Sequence, residues 1–193
     1  SNVKADRLFA PGGADTRPSL NLSPWYTTWS GGRFKHMAEW RDAWLPLSAH
    51  GARPAHQTHH AYYGVALEVE AATLCNQDFA GASLDRRKFF DLIEFAIGFG
   101  LLEKLGAPQG WVNAIKRFYA RLKRRWKAAG GLDWEEWTSR NGFGQGDSNS
   151  IQVALALMAT WTRVIETCNV QASSFIDDSN VTATGHAVAQ RIQ

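Results

Sequence analysis

Apolar residues recur every three to four positions along most of the chain, a spacing that predicts amphipathic helices. The earliest such pattern places Met37, Trp40 and Trp44 on one helical face, and Pro46 ends it. The first two dozen residues are rich in Gly, Pro, Asp and Ser, so this segment is predicted to be extended or loop.

Two further helices are predicted in the middle of the chain. One runs from His56 to Leu74, and the other runs from about Phe89 to Leu105 and ends at Gly106. The inward side of the first is predicted to carry Tyr62, Val65, Val69 and Ala72.

A strongly basic helix is predicted next, starting at Pro108 and ending at Gly130-Gly131. Its buried stripe is predicted to be Trp111, Ile115, Phe118, Leu122 and Trp126. The other positions carry the cations Lys116, Arg117, Arg121, Lys123, Arg124, Arg125 and Lys127. Such a face is either an ordinary solvated surface or a surface that contacts phosphates.

Short strands are predicted between and after these helices. Residues 81–84 and 134–137 have strand character, and β-prone runs on either side of Asp177-Asp178 predict a tight hairpin. A helix from about Asn149 to Cys168 precedes the hairpin, with Asp147 or Ser148 as its N-cap. Its predicted apolar side includes Val153, Leu157, Trp161, Val164 and Ile165.

Composition narrows the function classes only slightly. The 193 residues suit one domain, and the net charge of +3 permits nucleic-acid binding without requiring it. Cys75 and Cys168 form no CxxC pair, which indicates a reducing intracellular compartment, cytoplasmic or nuclear, rather than secretion. No apolar run is long enough for a membrane span, and the His56–His60 segment lacks a convincing third zinc ligand.

Three polar blocks carry the candidate chemistry. Asp177 and Asp178 are like charges at a predicted turn, where a hard divalent cation with oxygen ligands is the usual partner. Asp85 directly follows the predicted strand at residues 81–84 and supplies a third carboxylate. Between them, residues 141–150 form a glycine-rich loop that enters a helix.

In this order, the blocks resemble the palm of a reverse transcriptase. Asp85, Phe90 and Asp91 fit its first aspartate block, Gly142, Gln145 and Gly146 fit its Gln-Gly loop, and Phe175-Ile176-Asp177-Asp178 fits its aromatic-x-Asp-Asp hairpin. Two weaker matches lie upstream, at residues 17–20 and 51–54. The resemblance spans roughly residues 14 to 184 and is closest to the non-LTR retrotransposon or group II intron type.

The resemblance implies an α+β fold, in which an antiparallel palm sheet is backed by helices and preceded by a largely helical fingers region. Residues 1–80 would then be fingers and residues 81–193 palm, with no thumb. The implied activity is RNA-directed DNA polymerisation, a nucleotidyl transfer that uses an RNA template, a DNA primer and dNTPs. Little chain follows Arg191, so a weak grip on the template–primer is expected.

The resemblance also assigns roles to individual residues. Asp85 and Asp177 would be the principal ligands of two Mg²⁺ ions, for which Mn²⁺ can substitute, and Asp178 would complete the site. Phe90 would exclude a ribose 2′-hydroxyl, Gln145 and Gly146 would pack against the incoming nucleotide, and Arg17 would contact its triphosphate. The nucleic-acid contacts would come from the basic face, at Lys116, Arg117, Arg121 and Arg124.

Two other functions remain open at this point. An RNA-dependent RNA polymerase palm also has an aspartate block and an Asp-Asp hairpin, although Gln145-Gly146 and Phe90 argue against it. A catalytically inactive reverse-transcriptase-like domain could bind nucleic acid and retain the fold. Ile176 is bulkier than the small residue that is usual at its position in the family.

Overall fold

The fold combines helices with a small antiparallel sheet and is α+β, as predicted. The computed structural model describes residues 20–125, 127–128, 131–132, 134–185 and 188. Its helices are α1 Pro24–His36, α2 Ala38–Trp44, α3 Thr58–Leu74, α4 Phe89–Leu92, α5 Phe95–Lys104, α6 Gln109–Arg121 and α7 Ser148–Glu166. Its strands are β1 Phe79–Leu84, β2 Lys127–Ala128, β3 Gly131–Leu132, β4 Gln171–Phe175 and β5 Asp178–Thr184.

The main sheet has three antiparallel strands in the order β1-β5-β4. The predicted hairpin is confirmed, because β4 and β5 pair directly around a turn at Ile176-Asp177. The predicted strand at residues 81–84 is also confirmed, and it begins two residues earlier, at Phe79. The second sheet is the short pair β2–β3.

Helix α7 runs through the largest hydrophobic core. It spans Ser148–Glu166, close to the predicted bounds, and Asp147 caps it as predicted by accepting a hydrogen bond from the Asn149 amide. Fully buried side chains from α5 and α6, among them Leu102, Val112 and Ile115, pack against its apolar side, which includes Val153. The predicted inward position of Val164 is wrong, because this side chain is 60 % exposed beyond the edge of the core.

Different helices pack on the two faces of the main sheet. Trp161 and Ile165 of α7 pack against Val181 and Ala183, which alternate onto one face of β5. Helix α3 lies over the opposite face, which carries the polar residues Gln171, Ser173, Asn180 and Thr182.

Helix α3 turns its small residues toward the sheet. Ala61 and Ala72 are buried, whereas Tyr62 is 48 % and Val69 is 41 % exposed, so the predicted inward position of these two is wrong. Small side chains let the helix approach closely enough for the Ser173 hydroxyl to donate to the Ala61 carbonyl at 3.4 Å. Close backbone packing has therefore decided which side of α3 is inward.

The predicted helix from Phe89 to Leu105 is broken in two. Ile93 has an extended conformation, and its carbonyl accepts a hydrogen bond from the Gly142 amide at 3.0 Å. Glu94 forms an isolated antiparallel bridge with Asn141. These non-local hydrogen bonds replace helical ones at Ile93 and Glu94, so the glycine-rich loop is the physical reason for the break.

The basic helix is shorter than predicted. It ends at Arg121, because Leu122 is extended and Arg124 then forms an antiparallel bridge with Trp137. The prediction of helix is therefore wrong for residues 122–125, and Trp126 lies outside the described residues. A strand was predicted at residues 134–137. In these four residues, the structure shows β-bridging at Trp137 alone.

The predicted loop at the N-terminus falls mostly outside the description, which begins at residue 20. Residues 20–23 form no helix or strand, and Ser23 then caps α1 by accepting from the Tyr26 amide. The main core includes residues of both the predicted fingers and the predicted palm, such as Trp44 and Met158. Across the residues described, no helix combines the length and the apolar character needed to cross a membrane.

Candidate functional site

The three candidate aspartates lie at one end of the main sheet. In the β1–β5 register, Leu84 is opposite Ser179, so continuing that register by one residue sets Asp85 level with Asp178. Asp177 lies in the turn, one residue before Asp178. Asp178 pairs with Phe175 across the hairpin. The topology thus brings together residues that are more than ninety positions apart in the sequence.

The side chains of these aspartates do not form a compact cluster. Among the described residues, no three or more His, Cys, Asp or Glu side chains are placed to hold one metal ion. The donor chemistry nevertheless fits Mg²⁺, which prefers carboxylate oxygens and retains water ligands. A bound ion would have to draw the side chains of Asp85, Asp177 and Asp178 together.

Arg86 is the cation that lies next to this end of the sheet. Its Nη1 donates to the Asp177 carbonyl at 2.9 Å and to the Ser179 hydroxyl at 2.6 Å. Its guanidinium carbon lies 4.5 Å from the ring centroid of Trp161, a cation–π arrangement. Burial lowers the pKa of Arg86, while Asp177 and Asp178 act in the opposite direction, as expected for a guanidinium in their electrostatic field.

Arg86 is a site residue that was not predicted from the sequence. The available signal was its position directly after Asp85, in the run Asp85-Arg86-Arg87-Lys88 that follows a predicted strand. Part of the charge compensation expected for the Asp-Asp pair therefore comes from the protein itself.

The hairpin turn has an unusual backbone. Ile176 has a φ of 60°, in the left-handed region that a β-branched side chain rarely adopts. The segment before α3 holds the turn, because the amide of Ser174 donates to the Ser48 carbonyl at 2.9 Å and the amide of His50 donates to the Ser174 carbonyl at 2.8 Å. The surrounding structure thus maintains a strained conformation next to the candidate aspartates.

Gly51 contacts this turn directly. A Cβ atom at position 51 would lie 2.7 Å from both the backbone nitrogen and the Cγ1 of Ile176, closer than real Cβ atoms come. The turn would therefore have to move if residue 51 had a side chain.

Gly51→Ala is expected to lower the free energy of unfolding by about 1–3 kcal/mol, the usual cost of overpacking. Urea denaturation measures this change. Gly110→Ala is the matched control, since an added Cβ in α6 meets no atom within 4 Å, and it should leave stability equal or raise it by up to about 1 kcal/mol. Equal stabilities of the two variants would refute the close contact.

The Gln-Gly loop is hydrogen-bonded to α4 on one side and to Leu20 on the other. The Phe143 amide donates to the Phe90 carbonyl at 2.9 Å, and the Gln145 carbonyl accepts from the Leu20 amide at 2.9 Å. Gly146 has a φ of 107°, and the Leu20 carbonyl would lie 3.3 Å from a Cβ there, so glycine suits this position on both counts.

A buried network of polar side chains is hydrogen-bonded to the loop. The Asp147 carboxylate is 1 % exposed and accepts hydrogen bonds from the hydroxyls of Tyr119 at 2.8 Å and Tyr26 at 3.0 Å. The Tyr119 hydroxyl in turn accepts from the Gly144 amide at 3.2 Å. Burial, followed by the Asp147 charge, raises the pKa of both tyrosines well above the ordinary value.

The predicted sugar-gate residue is half-buried at this junction. The ring of Phe90 stands edge-on to Phe89, with 5.5 Å between the ring centroids, and packs at the margin of the core. Its neighbour Asp91 is also half-buried, and desolvation raises the pKa of that carboxyl, with Arg124 and Lys88 acting against the rise.

The predicted nucleic-acid-binding residues differ in their surroundings. Arg117 and Arg121 are exposed on α6, whereas the Lys116 ammonium is 2.5 Å from the Glu103 carboxylate. Arg124 turns inward, donates to the Gly142 carbonyl and has a pKa lowered by burial. The prediction of a phosphate-contacting face therefore depends mainly on Arg117 and Arg121.

Arg17, the predicted triphosphate contact, lies outside the described residues. Scans of the whole chain against protein-family models and against curated proteins returned no match.

Proposed function

We propose that this chain is the fingers–palm part of an RNA-directed DNA polymerase. The reaction is attack of a primer 3′-hydroxyl on the α-phosphate of a dNTP, with pyrophosphate as the leaving group. The observation that carries the proposal is the register of β1 with β5, which aligns Asp85 with Asp178 next to the Asp177 turn. The sequence order of the aspartate block, the Gln-Gly loop and the Asp-Asp hairpin supports the same function.

Asp85 and Asp177 would hold two Mg²⁺ ions, and Asp178 would complete the carboxylate set. When bound, such ions lower the barrier by activating the attacking oxygen and neutralising the leaving phosphate charge. Arg86 would hold the turn in place through the Asp177 carbonyl and offset part of the negative charge in the absence of nucleotide.

The Gln-Gly loop would position the nucleotide base and sugar. The hydrogen bond between the Phe143 amide and the Phe90 carbonyl joins the loop to the predicted sugar gate. The Tyr119 hydroxyl, fixed by Asp147, holds the Gly144 amide of the same loop. These hydrogen bonds to the loop support this assignment, since catalysis of phosphoryl transfer depends on positioning.

Primer extension tests the proposal. With an RNA template, a DNA primer and Mg²⁺, the full chain should incorporate dNTPs and should discriminate against rNTPs because of the Phe90 ring. Phe90→Ala should raise the relative use of rNTPs while Mg²⁺ dependence remains. Preferential incorporation of rNTPs by the unmodified chain would instead indicate an RNA-dependent RNA polymerase.

A second candidate is a catalytically inactive domain that binds nucleic acid. One observation favours it: Arg86 donates to the Asp177 carbonyl and lies in the electrostatic field of Asp177 and Asp178, where it supplies part of the positive charge that a metal ion would otherwise provide. Template–primer binding without metal-dependent incorporation, measured in the same assay and by filter binding, would support this candidate over the polymerase.

A further inference from the structure

A cleft lies between α3 and the polar face of the main sheet. It has a volume of about 170 Å³ and is closed on one side by the segment Ser48–His50. It lies toward the end of the hairpin that is farther from the Asp177 turn, since Gln171 and Thr182 form the pair most distant from that turn in the β4–β5 register. The cleft is therefore separate from the aspartate site in the fold.

Oxygen-bearing side chains line the sheet side of this cleft. They are Gln171, Ser173 and Thr182, and Ser48 lies beside them. Thr182 is only 4 % exposed and Ser173 is half-buried, whereas Gln171 is exposed, so this polar surface runs from the helix–sheet interior to the protein surface. A polar surface of this kind normally meets hydrogen-bonding partners.

Glu68 extends from α3 into the same cleft. Its Oε2 is buried and has no hydrogen-bond partner among the described residues, where Glu68 also forms no ion pair. A carboxylate oxygen removed from water is costly unless a donor or a cation compensates it. The cleft thus contains one carboxylate oxygen that has no hydrogen-bonding or ionic partner among the described residues.

The neighbouring basic side chains, His50 and Arg53, do not compensate the Glu68 carboxylate. His50 lines the cleft, but burial, followed by His56, His60 and Arg53, lowers its pKa and keeps the imidazole neutral near pH 7. Its Nδ1 is 3.1 Å from the Nδ1 of His56, a contact that requires at least one unprotonated nitrogen. The Arg53 guanidinium donates to the carbonyls of Leu45, Pro46 and Ala49.

The rest of the lining is apolar and narrow. Ala61, Gly64 and Val65 of α3 share the helical face of Glu68 and form this apolar part. The volume corresponds to roughly five or six water molecules at about 30 Å³ each, which is enough for a short alkyl chain with one polar head. A single carboxylate with neutral oxygens and a short apolar wall is complementary to an alkylammonium ion.

We propose that this cleft binds a primary alkylammonium ion, whose N–H groups donate to Glu68 and the sheet oxygens and whose alkyl chain packs on Ala61 and Val65. The proposal is independent of polymerase activity. A divalent metal is disfavoured because the cleft contributes one carboxylate and, within the described residues, no three-membered ligand group.

Isothermal titration of the full chain with n-propylammonium chloride tests this proposal. Saturable binding is expected, and tetramethylammonium chloride, which has the same charge but no N–H donor, should bind at least about tenfold more weakly. Glu68→Gln should weaken propylammonium binding by at least about tenfold. Glu70→Gln is the matched control, because Glu70 is exposed on the same helix, and it should leave the affinity within about twofold.

A steric variant keeps the test decisive if Glu68→Gln does not fold. A Cβ at Gly64 meets no atom within 4 Å, so Gly64→Leu should fold and occupy the cleft, abolishing binding while Glu68 remains. The proposal is overturned if the unmodified chain shows no saturable binding or binds tetramethylammonium equally well. It is also overturned if Gly64→Leu, or a folded Glu68→Gln, retains the original affinity.

Discussion

Replacing Asp85 or Asp177 by Asn is expected to reduce Mg²⁺-dependent dNTP incorporation at least about 100-fold. A metal that acts on a phosphoryl oxygen contributes several kcal/mol to the barrier, and about 1.4 kcal/mol corresponds to a tenfold change in rate. Asn keeps the shape of the side chain but removes the charge that would bind the ion in the proposed mechanism. Single-nucleotide incorporation on an RNA template, measured over a series of Mg²⁺ concentrations, checks the expectation.

Asp78→Asn is the matched control for these two substitutions. Asp78 immediately precedes β1 and Asp85 immediately follows it, so the variants place the same change at opposite ends of one strand. Asp78→Asn should leave incorporation within about twofold, and exposed Asp85 can be changed without loss of stability. Incorporation by Asp85→Asn and Asp177→Asn at the original rate would remove these residues from the active site.

Asp147→Ala is expected to be strongly destabilising, lowering the free energy of unfolding by about 2–4 kcal/mol. It removes the N-cap of α7, worth about 1 kcal/mol, and leaves the hydroxyls of Tyr119 and Tyr26 without their acceptor, at about 1–3 kcal/mol. Chemical denaturation followed by tryptophan fluorescence measures the loss.

Two further variants distinguish the stability that the hydrogen-bond network contributes from the effect of removing any one acidic side chain. Asp147→Asn retains an oxygen at the Oδ1 position for the cap and replaces the Oδ2 acceptor of the two hydroxyls with an amide group, so it should cost less than Asp147→Ala. Glu39→Ala, at an exposed site on α2, should change stability by less than about 0.5 kcal/mol. If Asp147→Ala costs no more than Glu39→Ala, the buried network does not stabilise the fold.

The network also predicts how stability responds to alkaline pH. The pKa of Tyr119 is raised above its ordinary value of 10.0, so the unfolded chain releases this proton first as the pH rises. Stability contributed by the protonated hydroxyl is present below about pH 10 and is lost above it. Tyr119→Phe should therefore reduce the fall in stability above pH 10.

The elements that the sequence predicted well depend on local signals. The hairpin follows from two β-prone runs around Asp177-Asp178, and the start of α7 follows from Asp147 acting as a cap before an apolar period. In both cases the residues that determine the element lie within or directly beside it.

The features that were missed depend on contacts between distant residues. Leu122 belongs to an apolar helical period, yet the chain leaves the helix there because Arg124 pairs with Trp137. Ile93 leaves its predicted helix because its carbonyl accepts from the Gly142 amide. Arg86 could be placed beside Asp177 only once the register of β1 with β5 was known.

The segment Ser48–His50 has a second consequence, for how the main sheet can associate with other chains. Ala49 forms a parallel bridge with Ser174, which occupies part of the outer edge of β4 and hinders another strand from pairing there. Among the described strands, β1 forms the opposite edge and pairs with β5 alone. A further strand that extends this sheet would therefore add beside β1, along the strand that leads to Asp85.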